Sequence, residues 1–392
     1  MKTLFLTVGA AALLLQFAAP ARADSDPDPA MNNPDKVAWE FFIKVNGRAG
    51  GENSVFETYA SDSDTFTAQP KYPTGTALAN LHPSVLPSIK RQLALENGEV
   101  EPALPPGAAQ GQMEESRRNR VAFDFIVDNE LYKMSGLKAH FGKTLSFPID
   151  SIEVKANWIP VSQIAAQTNN QVSEQDAPKF FHINSDANHV KYALLSMHVI
   201  SKNVPNWTWA TFESRFNTGR CDIIGCHDHY GAKQADVRPA SSPGGQYPDC
   251  EKTEALKAKF AAADIDPVYL NYCLKGAQAD FTDNTGLASR VGDSVTEAGF
   301  VDSSSCITCH SRSAFNSSGQ GRPGAGFLPS GKGPLGPMSP AWYWKFTGQP
   351  PIFEGMPGLT RLWTSADFVW SIPFCVIDDS SNPPQPSNCV GK

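Results

Sequence analysis

Apolar side chains recur at two periods along this chain. Val37, Phe41 and Val45 stand four apart, with Ala38 and Phe42 beside them, so the spacing predicts a helix over Asp35–Val45 with Asp35 as N-cap. A second helix is expected over Glu114–Asn129. It carries Val121, Phe125 and Ile126 on one face and Arg117, Arg118 and Arg120 on a solvated face at its start. The period then drops to two. Ile152, Val154, Ala156 and Trp158 alternate with Glu153, Lys155 and Asn157, the pattern of a half-buried strand. Tyr192–Ile200 is more continuously apolar and suits a central strand. Trp207–Phe212 makes a third, entered through a turn at Pro205-Asn206. These three read as neighbours in an antiparallel sheet, with their tryptophans in the core. A helix over Thr253–Ala263 and a last strand over Phe368–Val376 complete the pattern.

Between these elements lie loop-like stretches at 61–83, 97–114 and 311–340. With 31 Pro and 30 Gly in 392 residues, long irregular connections are expected. The fold class that follows is α+β: an antiparallel sheet core with peripheral helices and long Pro/Gly-rich loops. No internal repeat is visible.

The start of the chain changes the compartment. Met1-Lys2 is basic, Leu4–Ala19 is an apolar run, and Ala21-Arg22-Ala23 fits the small-x-small cleavage rule. Residues 1–23 read as a signal peptide, too short in its apolar run for a comfortable span, and no later stretch is apolar enough to cross a bilayer. The expectation is an exported, periplasmic protein without stable membrane insertion. The formal net charge of −7 becomes −9 once Lys2 and Arg22 leave. An acidic chain with no Lys/Arg stripe is a poor candidate for nucleic acid.

All eight cysteines lie in the second half. Cys306-Ile307-Thr308-Cys309-His310 is C-x-x-C-H, the attachment motif of a c-type haem. Two thiols at this spacing reach both vinyl groups of one porphyrin, and the adjacent imidazole binds its iron. A dithiol pair and a zinc site are the rival readings. The first lacks the expected strand before and helix after the motif, since Asp302-Ser303-Ser304-Ser305 precedes it and a Ser/Gly/Pro-rich stretch follows. The second lacks a second ligand pair at suitable spacing. One covalent haem c, held by Cys306, Cys309 and His310, is therefore expected in a C-terminal region, 303–392, integrated with a scaffold over 24–302. The other six cysteines suit disulfides, and a sequential pattern is expected: Cys221–Cys226, Cys250–Cys273 and Cys375–Cys389. Cys221-x4-Cys226-His227 also has the form of a variant haem site, and that alternative stays open.

Several blocks resemble a group of exported bacterial proteins known as the cytochrome c family protein group. They are Asn33–Asn46, Val121–Tyr132, Ile152–Val161, Lys191–Glu213, Arg220–Cys226, the C-x-x-C-H motif and Asp367–Phe374. They are scattered over most of the chain, which implies one integrated unit. The resemblance implies location and cofactor and brings no reaction with it.

The iron's far side decides between function classes. No His follows His310, whereas Met338 and Met356 do. Met356, framed by Pro and Gly, is the first candidate for a distal ligand and Met338 the second, with His227 or His229 behind both. His182 and His189 read as incidental, and His198 as a satisfied core imidazole. A ligated iron implies an electron carrier serving a redox partner protein. An open position implies a peroxidase, oxygenase or dehydrogenase type of enzyme, with Trp342, Tyr343 and Trp344 as a candidate wall. Length favours more than a minimal carrier, which needs only about 100 residues.

Overall fold

The computed structural model describes residues 29–50, 53–74, 112–242, 244–297, 300–322, 333–348, 355–385 and 389. The signal-peptide expectation lies outside them. Seven strands form the main sheet: β1 (Ala60–Ser61), β2 (Met113–Arg118), β3 (Ile152–Pro160), β4 (Ile183–Ser185), β5 (Lys191–Ser201), β6 (Thr208–Ser214) and β7 (Tyr272–Gln278). The order is β7-β6-β5-β3-β2-β1, every pair is antiparallel, and β4 pairs the start of β5. The three strands legible in the sequence are thus adjacent, as expected, and the fold is α+β.

Two faces of this sheet do different work. On the first, Val154, Ala156, Val199, Ala210 and Phe212 pack under helix α1 (Pro34–Asn46) and, further along the chain, helix Glu254–Ala262. Trp39 and Phe42 of α1 meet Phe212 with ring centroids 4.9 and 4.2 Å apart. Asn33, not Asp35, caps α1, accepting from the Lys36 N–H at 3.0 Å. Asp35 is turned inward instead. It accepts the His229 N–H at 2.8 Å, and burial pushes its carboxyl up to about 6.

The second face carries Glu153, Lys155, Asn157, Ser196, His198, Thr211 and Glu213. Alternation marked the polar side chains of β3 as a strand's outer face, yet most of this set is buried. The chain after β7 crosses it. Asp293 Oδ2 accepts Ser196 Oγ–H at 2.6 Å, and the Ser294 N–H donates to Glu213 at 2.9 Å. Gly292 makes the crossing possible, because a Cβ there would stand 2.5 Å from Ser304 Oγ.

Two expected elements are different. Met113–Arg118 is strand β2, and the helix that follows, α2 (Arg120–Asp128), starts only after Asn119, whose side chain accepts the Ala122 N–H. Arg117 and Arg118 are therefore buried. Arg117 reaches Glu115 at 2.7 Å and the carbonyls of Glu57 and Tyr59. Arg118 pairs with Asp62 and Glu153. Only Arg120 is solvated, paired to Asp124 one turn on. At the other end, Ser371–Cys375 is a helical turn rather than a strand. Trp370 and Phe374, four apart, stack at 4.8 Å, a pairing that only helical geometry brings together.

The six remaining cysteines pair as the sequential pattern proposes: Cys221–Cys226, Cys250–Cys273 and Cys375–Cys389. No helix of the described residues is long and apolar enough to cross a membrane.

Candidate functional site

Cys306–His310 forms a single helical turn, which puts both thiols on one side. Three anchors fix that turn. The Ile307 N–H donates to Gln278 Oε1 at the end of β7 at 2.9 Å. Ile307 itself is fully buried among Ile126, Leu137, Trp209 and Ile372. Thr308 Oγ1–H donates to the Gly336 carbonyl at 2.9 Å. Cys306 and Cys309 stand outside any disulfide. Burial pushes the Cys309 thiol up to about 11 and that of Cys306 well above its ordinary value, with Glu297 adding to the effect, so both are neutral thiols.

The His310 ring is oriented by its back side. Nδ1 lies 2.8 Å from the Phe368 carbonyl, which can only accept, so Nδ1 holds the proton and Nε2 keeps its lone pair. Burial pushes the imidazole down to about 3 against the pull of that carbonyl, so the ring is neutral. Trp209 packs on it at 4.5 Å. Of the tryptophans read as core, Trp158 and Trp207 are fully buried, while Trp209 also touches the site.

The accepting carbonyl belongs to an unusual turn. Asp367 and Phe368 have φ of 49° and 72°, in the left-handed region that costs a non-glycine residue about 1–3 kcal/mol. Side-chain bonds hold them there. The Asp367 carboxylate accepts Lys202 Nζ at 2.6 Å and the Phe147 N–H at 2.7 Å. Asp367→Ala strips buried Lys202 of its counterion and frees the turn. The expected loss is about 3 kcal/mol by chemical denaturation. A loss below about 1 kcal/mol would mean that the turn holds itself.

Cys306, Cys309 and His310 line one cavity. Ile200, Trp209, Phe300, Trp370 and Phe374 supply an apolar wall. The polar second face of the sheet supplies the other, through Glu114, Glu153, Lys155 and His198, with Glu297 beside them.

His198 is not the satisfied core imidazole expected of it. Its Nδ1 pairs with Thr211 Oγ1 at 2.9 Å, but buried Nε2 has no hydrogen-bond partner. Nε2 stands 3.5 Å from Asp293 Oδ2 and 3.9 Å from Glu297 Oε2. Burial and the Asp293 charge push the Glu297 carboxyl well above the usual range. Sequence reasoning passed over Asp293 and Glu297 because they sit in a stretch without period. The one signal in the sequence was the Asp-x3-Glu spacing itself.

The remaining candidates fall elsewhere. Met356 is half-buried beside a hairpin formed by Trp344–Phe346 and Leu359–Arg361, and it is not among the residues that line the cavity. Met338 lines a second cavity with Ser311, Tyr343, Trp344 and Phe368. Tyr343 and Trp344 of the aromatic trio therefore wall that cavity, while Trp342 packs between Arg312 and Arg322. His227 is committed at both nitrogens, to Asp236 and to the Ile224 carbonyl, and its cysteine neighbours are joined to each other. His182 is buried and bonded to Glu57 at 3.0 Å.

No family model, curated protein or solved structure matches the chain.

Proposed function

We propose that this chain is an exported, periplasmic redox protein carrying one covalent haem c, joined through Cys306 and Cys309, with His310 as the proximal iron ligand. One observation carries the reading. Two thiols outside any disulfide, one helical turn apart, share a cavity with an imidazole whose Nδ1 proton is committed to the Phe368 carbonyl. A thioether-linked haem needs both sulfurs on one side and a free Nε2 facing the ring. When bound, the haem supplies one-electron chemistry. The chain's residues do the rest. Phe368 and Trp209 hold the imidazole plane, Ile200, Phe300 and Phe374 keep water from one side, and Arg118 holds Glu153 at the polar wall. Three disulfides suit an oxidising compartment. In this reading the chain transfers electrons to or from a redox partner protein.

The buried His198 on the cavity wall favours a second reading. An imidazole and two carboxylates beside an open iron position suit an enzyme of peroxidase, oxygenase or dehydrogenase type better than a carrier. The optical spectrum of the purified protein, with a pyridine haemochrome count, tests both. One haem per chain is expected, and zero or two overturns the proposal. A low-spin ferric spectrum that changes on Met356→Ala supports the carrier with Met356 as distal ligand. A high-spin spectrum that binds cyanide rapidly supports the enzyme.

A further inference from the structure

We infer that His198, Asp293 and Glu297 form a second metal site, for a divalent first-row transition cation of the zinc or manganese class, on the wall of the same cavity. One ligand atom from each lies within 4.8 Å of those of the other two. A tetrahedral ion with bonds of about 2.1 Å has ligand–ligand edges of about 3.4 Å. The separations of 3.5 Å from His198 Nε2 to Asp293 and 3.9 Å to Glu297 need only a slight closing to match.

The chemistry of the set agrees. One imidazole and two carboxylates suit zinc, manganese or ferrous iron, whereas a thiol-free set with a nitrogen ligand is a poor site for calcium or copper(I). The Nε2 of His198 is buried, aimed at both carboxylates and without a hydrogen-bond partner. The nearby cations are held by other acids, Lys155 by Glu114 at 2.9 Å and Lys275 by Glu213 at 3.4 Å. The supporting shell is complete. Thr211 Oγ1 holds His198 Nδ1 at 2.9 Å. Asp293 accepts from Ser196, Asn157 and the N–H groups of Val295 and Thr296. Glu297 Oε2 accepts the Asp293 N–H at 2.6 Å. Such outer contacts fix ligands in place before the ion arrives. His198 and Glu297 face the cavity, so a fourth position points into it, the arrangement of a site that binds water or a small anion.

This site does not depend on a haem at Cys306 and Cys309, and its test counts a different metal. The full-length purified protein is stripped with EDTA, equilibrated with Zn2+ and analysed for bound zinc by mass spectrometry, with iron and haem counted separately. One zinc per chain is expected. His198→Gln and Glu297→Gln should each weaken zinc binding at least tenfold while the far-ultraviolet circular dichroism stays that of the wild type. Excess Zn2+ should raise the melting temperature of the wild type and leave that of Glu297→Gln unmoved. Three results overturn the inference: no zinc above the buffer blank, equal zinc in wild type and both variants, or zinc lost only in Cys306→Ser/Cys309→Ser. The last would place the ion at the thiols. Should His198→Gln fail to fold, the isosteric Glu297→Gln decides alone.

Discussion

Arg118→Ala should cost about 3–5 kcal/mol of stability, the loss typical when one partner of a buried ion pair is removed. Its side chain is 1% exposed. Its guanidinium serves the Asp62 carboxylate, Glu153 at 3.4 Å, the Ser61 carbonyl at 3.2 Å and Thr65 Oγ1 at 2.7 Å, and it lies over the Phe66 ring. Truncation leaves buried Asp62 and the largely covered Glu153 without a cation, and their desolvation is then uncompensated. Chemical denaturation of wild type and variant reads the difference. Lysine should rescue only part of it, because an ammonium cannot serve two carboxylates and two neutral acceptors with one planar fork. A loss below about 1 kcal/mol would falsify the buried-pair account. Glu153 also lines the cavity, so the variant should disturb the polar wall as well as the fold.

Cys306→Ser/Cys309→Ser should abolish covalent haem altogether. On a denaturing gel the wild type should stain for haem and the double variant should not, and its mass should match the bare polypeptide. Each single variant should keep one thioether and stay haem-stained. The serines conserve shape, and neither thiol is in a disulfide, so the three native disulfides should still form. Haem retained covalently by the double variant would sink the proposal and send attention back to the other cysteines.

The first face of the sheet was legible because its side chains follow simple periods. Val154, Ala156 and Trp158 on β3 and Phe42 and Val45 on α1 all announce where they point, and the structure places them in one core. The second face was not. Glu153, Lys155 and Asn157 look like a solvated side when only alternation is read, and nothing local says that the stretch around Asp293 and Ser294 will cross that face. Arg117 and Arg118 failed for a related reason. A run of charge reads as surface unless its partners are known, and Asp62 lies 56 residues away in sequence. The C-terminal turn failed because tertiary bonds from Lys202 and Phe147 impose left-handed backbone on Asp367 and Phe368, against their intrinsic preference. The C-x-x-C-H motif stood out because it is local chemistry. Its surroundings were invisible because they come from six other stretches of chain.

The Phe368 carbonyl that steadies His310 comes 58 residues after it, and Trp370 and Phe374, which close the cavity, come later still. The sheet that makes the floor is complete by Gln278. Floor and motif therefore precede the roof in chain order. A fold formed as far as Cys306–His310 leaves the two thiols open on the side that Trp370 and Phe374 cover. Anything bulky that must be seated between them has to be placed before that later segment docks.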